Sequence, residues 1–184
     1  MLGRHAGRGR SCQGNGFLSH GLRKGDRLAI LSPNLPEYVI AFHAVASLGG
    51  VVTSLNPLYT VAEVARQLKD SGARFVVTVP PFLATTREAA AQSAVEEIIV
   101  FGEADGATPF AALFAHGEQA PPVAIDPTRD LVALPYSSGT TGMPKGVMLT
   151  HHNLVAELCS VGGVTDAALV LPDDIVLAFL PFFH

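Results

Sequence analysis

Four aliphatic hydroxyls, three glycines and one lysine crowd into Tyr136-Ser137-Ser138-Gly139-Thr140-Thr141-Gly142-Met143-Pro144-Lys145-Gly146. Glycine lets the backbone curl until successive N–H groups converge, hydroxyls add donors, and lysine brings a positive charge on a flexible stem. That chemistry suits a polyphosphate. The segment is not the Walker loop, which needs Gly-x-x-x-x-Gly-Lys-[Ser/Thr] opening a helix; here Pro144 precedes the lysine, Gly146 follows it and a strand comes next. Read by composition alone, a Ser/Gly/Thr cluster between strands is equally a plain turn. The buried strand ahead of it together with Pro-Lys-Gly behind it favours phosphate. A second cluster, His151-His152-Asn153, is not read as a metal site, because adjacent histidines point apart and no third ligand has suitable spacing. Thr150 and Asn153 instead read as caps of a helix start.

The elements that must position this loop alternate between short apolar runs and helical periodicity, the pattern of an α/β fold with a mostly parallel sheet flanked by helices. Residues 28–31 read as the first strand. Ser32-Pro33-Asn34 turns the chain, and Pro36 opens a helix whose inner face is expected to carry Val39, Phe42, His43 and Ala46, with Gly49-Gly50 as its stop. A strand over 51–55 follows. Thr60 and Glu63 have capping-box spacing, Val61, Val64, Ala65 and Leu68 form a buried stripe, and Gly72 is placed to end that helix in a left-handed conformation. A strand over 74–79 then meets Pro80-Pro81. Further on the pattern predicts an Ala-rich helix over 82–94 and a strand over 97–101. Thr108-Pro109 resembles a helix cap with proline in the first helical position. The stretch 116–129, holding Pro121-Pro122 and Pro127, reads as linker. Strands over 131–136 and 147–150, a helix over 152–161 and a last strand over 175–180 complete the reading.

Composition narrows the function classes. The chain has 184 residues, 48% hydrophobic and 15% charged, which is ample for one core and argues against disorder or coiled coil. Twelve basic against sixteen acidic residues give no excess with which to neutralise a nucleic-acid backbone. The apolar runs are broken by Gly49-Gly50, Asp166 and Asp173-Asp174 before they reach the length of a membrane span. Cys12 and Cys159 fit neither a disulfide framework nor a C-x-x-C metal pair, so a reducing, cytoplasmic setting suits the chain. Residues 1–20, rich in Gly and Arg and free of acidic residues, are expected to be a flexible leader; they lack a secretory apolar core and the amphipathic helix of a transit peptide. The chain closes on Leu180-Pro181-Phe182-Phe183-His184, an apolar run costly to expose. It reads as a domain cut off after His184 or, alternatively, as a final strand docked at an edge.

The string Leu134-Pro135-Tyr136-Ser137-Ser138-Gly139-Thr140-Thr141-Gly142-Met143-Pro144-Lys145-Gly146-Val147-Met148-Leu149-Thr150-His151 resembles the signature of adenylate-forming acyl-CoA synthetases, most closely 4-coumarate–CoA ligase-like members. Supporting similarity runs through Gly25-Asp26-Arg27, Ser32-Pro33-Asn34 and Asn56-Pro57 to the closing Leu180-Pro181-Phe182-Phe183-His184. The resemblance implies that residues 21–184 are the amino-terminal part of the large domain of such an enzyme. It also implies the reaction: a carboxylic acid, aryl or fatty acyl, and ATP give an acyl-adenylate and pyrophosphate, and coenzyme A then displaces AMP to form a thioester. ATP, magnesium and coenzyme A are the implied cofactors. Carried over position by position, Ser137, Ser138, Gly139, Thr140, Thr141 and Lys145 would hold the β- and γ-phosphates, and Gly142 and Gly146 would supply hinge freedom. His184 would stand at the acyl pocket beside the α-phosphate, orienting the substrate carboxylate.

Departures from the family accompany the match. The aromatic-Gly-x-Thr-Glu segment for adenine and magnesium, the ribose-binding aspartate and the carboxy-terminal domain with the adenylation lysine do not occur in these 184 residues. His152 stands where the family often has arginine, and Gly3 to Gly16 replace a helix. The isolated chain is therefore expected to be inactive. The alternative role is a non-catalytic remnant that binds nucleotide or a partner, associating through its exposed apolar carboxy end. A peptide-synthetase adenylation domain or a luciferase-like oxidase would share the same loop chemistry.

Overall fold

A computed structural model describes residues 16–114, 120–137, 144–162, 175 and 179–183. Its centre is β1 (Arg27–Leu31), whose last four residues are buried on both faces. β2 (Val51–Ser54) lies on one side of it and β3 (Phe75–Thr78) on the other, both parallel. Outward from β3 come β4 (Glu97–Val100) and β5 (Thr108–Pro109), and outward from β2 come β6 (Leu131–Ala133) and β9 (Leu149–Thr150). Among the described residues the order is β5-β4-β3-β1-β2-β6-β9, with β9 alone antiparallel to its neighbour. A separate antiparallel pair joins β7 (Tyr136–Ser137) and β8 (Lys145–Gly146). The expected mostly parallel, helix-flanked α/β sheet is present.

Side chains alternate across a strand, so β1 supplies two cores at once. Leu28 and Ile30 pack with Tyr38 and Val45 of α1 (Pro36–Ser47), and Ala29 and Leu31 pack with Val64 and Leu68 of α2 (Val61–Ser71). The crossovers after β1 and β2 therefore leave on opposite faces. That arrangement opens a crevice beyond the carboxyl ends of these two neighbours, the place where open α/β sheets bind ligands.

The caps follow the sequence. Thr60 accepts from the Glu63 N–H while Glu63 accepts from the Thr60 N–H, and Gly72 ends α2 at φ +63°. The backbone bond from Thr60 holds the Glu63 carboxyl below its ordinary pKa. α4 (His151–Gly162) starts on a similar reciprocal cap, Thr150 with Asn153.

Several expectations are corrected. α1 turns Tyr38, Ala41, Ala44 and Val45 inward, whereas Val39 is 42% exposed and His43 is exposed. The helix is apolar nearly all round, so periodicity does not select its inner face; Phe42 and Ala46, from the expected set, face a smaller cluster with Val132, Leu149 and Leu154. Thr108-Pro109 stands directly ahead of a 3-10 helix, Phe110–Phe114, rather than supplying the first helical position of an α-helix. It forms the short edge strand β5, where a proline costs no ladder bond, and the Thr108 hydroxyl donates to Glu97 Oε1 at 2.6 Å. The helix expected over 82–94 is shorter: a 3-10 turn, Pro80–Phe82, leads into α3 (Leu83–Ala90), and the Ser93 hydroxyl bonds back to the Ala90 carbonyl beyond its end. The strand expected over 131–136 breaks into β6 and β7, and of the strand expected over 147–150 only Leu149–Thr150 forms, with β8 lying just ahead of the expected start. Of the expected strand 175–180, Ile175, Phe179 and Leu180 are described and none is in a strand. Of the expected leader, residues 1–15 lie outside the described residues, while Phe17 is fully buried against Phe110 in the main core. The linker-like stretch is tied down where described: the Lys24 ammonium donates to the Ala124 carbonyl at 2.8 Å and, just beyond the stretch, pairs with Asp130 at 2.6 Å.

Candidate functional site

The hydroxyl-rich loop is carried by a hairpin at the end of the sheet. β6 ends at Ala133, Leu134 donates its N–H to the Val52 carbonyl at 2.8 Å, and Pro135 turns the chain into β7. There Tyr136 pairs with Gly146 and Ser137 with Lys145, so the hairpin brings both ends of the candidate loop together. Ser137 and Lys145 are both exposed. Ser138, Gly139, Thr140, Thr141 and Gly142, the rest of the expected phosphate set, lie outside the described residues, as does His184.

Tyr136 anchors the hairpin. Its hydroxyl donates to Asp70 Oδ2 of α2 at 2.5 Å, and burial, followed by the carboxylate it bonds, pushes the phenol well above its ordinary pKa. Its ring also explains Gly146: a Cβ there would sit 3.2 Å from two ring carbons, tighter than an ordinary contact. Beside the hairpin lies a cavity of about 270 Å³ lined by Tyr59, Glu63, Arg66, Gln67, Asp70 and Tyr136, with Pro144.

The second part of the site is the closing apolar segment, which crosses the crevice beyond β1 and β2. Asn34 clamps it with both ends of its amide: Nδ2 donates to the Leu180 carbonyl at 2.8 Å, and Oδ1 accepts from the Phe182 N–H at 2.8 Å. Ser54, the last residue of β2, donates to the Phe183 carbonyl at 2.9 Å. Tyr38 packs edge-on against the Phe182 ring, 5.7 Å between centroids. Burial pushes the Tyr38 phenol up to about 12 against the smaller opposing pull of Ser54. Sequence reading missed Asn34, Tyr38 and Ser54 as site residues. The only local signal was Asn34 in the turn after β1, since their acceptors are backbone atoms more than a hundred residues away.

His151 and His152 begin α4, as read, and His151 Nε2 is buried without a hydrogen-bond partner. Among the described residues no three His, Cys, Asp or Glu side chains gather as a metal site would require. No described helix is long and apolar enough to cross a membrane.

Known proteins share this fold. The chain is 44% identical over 171 residues to 4-coumarate–CoA ligase 5 of Oryza sativa subsp. japonica, an alignment covering 92% of this chain and 31% of that ligase. The chain thus spans about a third of the length of the curated relatives it matches. Its fold superposes on a long-chain-fatty-acid–CoA ligase from Archaeoglobus fulgidus with a TM-score of 0.78 at 28% identity, covering 85% of this chain and 32% of that one. An anthranilate–CoA ligase crystallised with anthranoyl-AMP superposes with a TM-score of 0.77 at 28% identity, covering 86% and 32%. Residues 10–184 match the model of the AMP-binding enzyme family, and with the hydroxyl-rich hairpin at the sheet's end this chain belongs to that family.

Proposed function

We propose that this chain contributes the phosphate-binding part of an ATP-dependent carboxylate–CoA ligase. The observation that carries the reading is the β7/β8 hairpin, which sets exposed Ser137 opposite exposed Lys145 at the two ends of a loop made of hydroxyls and glycines. In the first step a substrate carboxylate oxygen attacks the α-phosphorus of ATP, the bond to the β-phosphate breaks and pyrophosphate leaves. Ser137, Ser138, Gly139, Thr140, Thr141, Gly142 and Lys145 hold the β- and γ-phosphates and offset the charge that builds on the departing group. His184 orients the carboxylate beside the α-phosphate. In the second step the thiol sulfur of coenzyme A attacks the acyl carbon and AMP leaves. Magnesium enters only as the companion of ATP, with no described residue assigned to it. The acid is aryl or fatty acyl, in keeping with the names of the relatives, and the setting is cytoplasmic.

The 184-residue chain alone turns over little, because one phosphate loop does not replace the adenine, ribose and general electrostatic contacts that lower the barrier. A second reading, a non-catalytic module that binds nucleotide or a partner, is favoured by the apolar carboxy end, where Phe179 and Leu180 are 73% and 67% exposed. Calorimetric titration with ATP tests the phosphate reading: Lys145→Ala weakens binding at least about tenfold, the loss expected for a charge-assisted contact. Unchanged affinity makes the segment a plain turn. Thioester formation by the unmodified chain, supplied with ATP, coenzyme A and cinnamate-like or fatty acids, would overturn the expectation of inactivity.

A further inference from the structure

We infer that Thr53, Ser54 and Gln67 are positioning residues that fix the two parts of this site, the loop hairpin and the closing segment, relative to each other; this rests on the phosphate reading above. The last two residues of β2 carry hydroxyls on opposite faces of the sheet, as strand alternation requires. Thr53, fully buried, donates to the Leu134 carbonyl at 2.8 Å, three residues ahead of Ser137. Ser54 donates to the Phe183 carbonyl at 2.9 Å, the residue that precedes His184. Gln67 joins the two. From α2, only 3% exposed, its amide nitrogen donates to Thr53 Oγ1 at 3.0 Å and to the Ser54 carbonyl at 2.9 Å.

The chemistry of position 67 is what singles it out. It lies on the buried face of α2 beside Val64 and Leu68, where leucine would satisfy the packing without a polar group to accommodate. A buried amide is tolerated there because its donors are matched, and matched buried networks specify one geometry more sharply than apolar contact does. Leu134 is doubly held, donating to Val52 and accepting from Thr53, and Phe183 is held by Ser54. Both site segments are therefore tied to one strand end through a single network, which adds to the Asn34 clamp on the closing segment.

The test measures amide hydrogen exchange and ATP affinity on the whole chain as wild type, Gln67→Leu, Ser54→Ala and Ser54→Thr, with Lys145→Ala alongside. Gln67→Leu is expected to raise exchange about tenfold in both 131–137 and 179–184, leave 27–31 and 75–78 protected, and weaken ATP binding without removing any phosphate contact. Ser54→Ala is expected to raise exchange in 179–184 alone, and Ser54→Thr to restore it. If Gln67→Leu changes neither segment, or loosens the whole sheet evenly, Gln67 is an ordinary core residue and the inference fails. Should Gln67→Leu not fold, the Ser54 pair decides: loss of protection with Ala that Thr does not restore also overturns it. Undiminished ATP affinity in Lys145→Ala overturns the phosphate reading instead, because the exchange pattern reads the tie between the two segments without nucleotide.

Discussion

Residues 27–100 and the end of the sheet that carries the site are held together by different physics. In the first region β1, β2, β3 and β4 pair over four positions each, and their side chains are buried between α1 on one face and α2 and α3 on the other. In the second, β6 meets β2 at the single pair Val52 with Ala133, β7 and β8 share two pairs, and β9 pairs with a shifted register. There the tethers are polar side chains bonded to backbone: Thr53 to Leu134, Ser54 to Phe183, Asn34 to Leu180 and Phe182. Area burial dominates in the scaffold, whereas at the site end directional bonds add to a small apolar cluster and the Tyr38–Phe182 contact. Directional bonds fix position with little bulk, which leaves the cavity beside the hairpin open.

The largest break in this contrast should come from Phe75→Ala. Phe75 is 1% exposed in the main core, and its loss should cost about 3–5 kcal/mol in urea unfolding, enough to endanger the whole sheet. Thr60→Ala, which removes one cap of α2 and no core contact, should cost about 1 kcal/mol by the same measurement. A smaller, pH-dependent effect is expected where Lys24 grips Asp130. The Lys24 bond holds the Asp130 carboxyl below its ordinary value of 3.8, so the contribution is present above that pH and fades as pH falls through the folded-state value. The gap in urea midpoint between wild type and Asp130→Asn should accordingly be open at neutral pH and close in acid. Least of all, Met148→Ala, at a residue 70% exposed between β8 and β9, should stay within about 0.5 kcal/mol. A larger loss there would mean that the site end buries more than its pairing indicates.

The scaffold was legible in the sequence because its signals are local. Thr60 and Glu63, Gly72, Pro36 and the apolar runs of β1 to β4 each declare their element within a few residues, and the structure bears them out. Where the local signal was equivocal the reading slipped: α1 is apolar on most sides, and Thr108-Pro109 suits a helix start as well as an edge strand. Phe17 gave no warning from within a Gly- and Arg-rich stretch, since only its contact with Phe110 makes it core. The candidate loop was legible as a motif, and the described residues at its two ends, Ser137 and Lys145, form a cross-strand pair. Its supports were not, because a hydroxyl that bonds a distant carbonyl leaves no spacing to read.

The polar tie from Thr53 to Leu134 also bears on the order in which the molecule assembles. It joins residues 81 apart in the chain, whereas the Thr78 hydroxyl reaches Leu31 across 47. The extra loop closure adds only about 0.5 kcal/mol of lost chain entropy. The return differs more, since β3 gains four paired residues with β1 on closing and β6 gains one with β2. β1 to β4 should therefore collapse first as a native-like nucleus, with the loop-bearing hairpin docking late onto a finished β2. A chain emerging from the ribosome would meet the same sequence of events, with its sheet built before the loop-bearing hairpin exists.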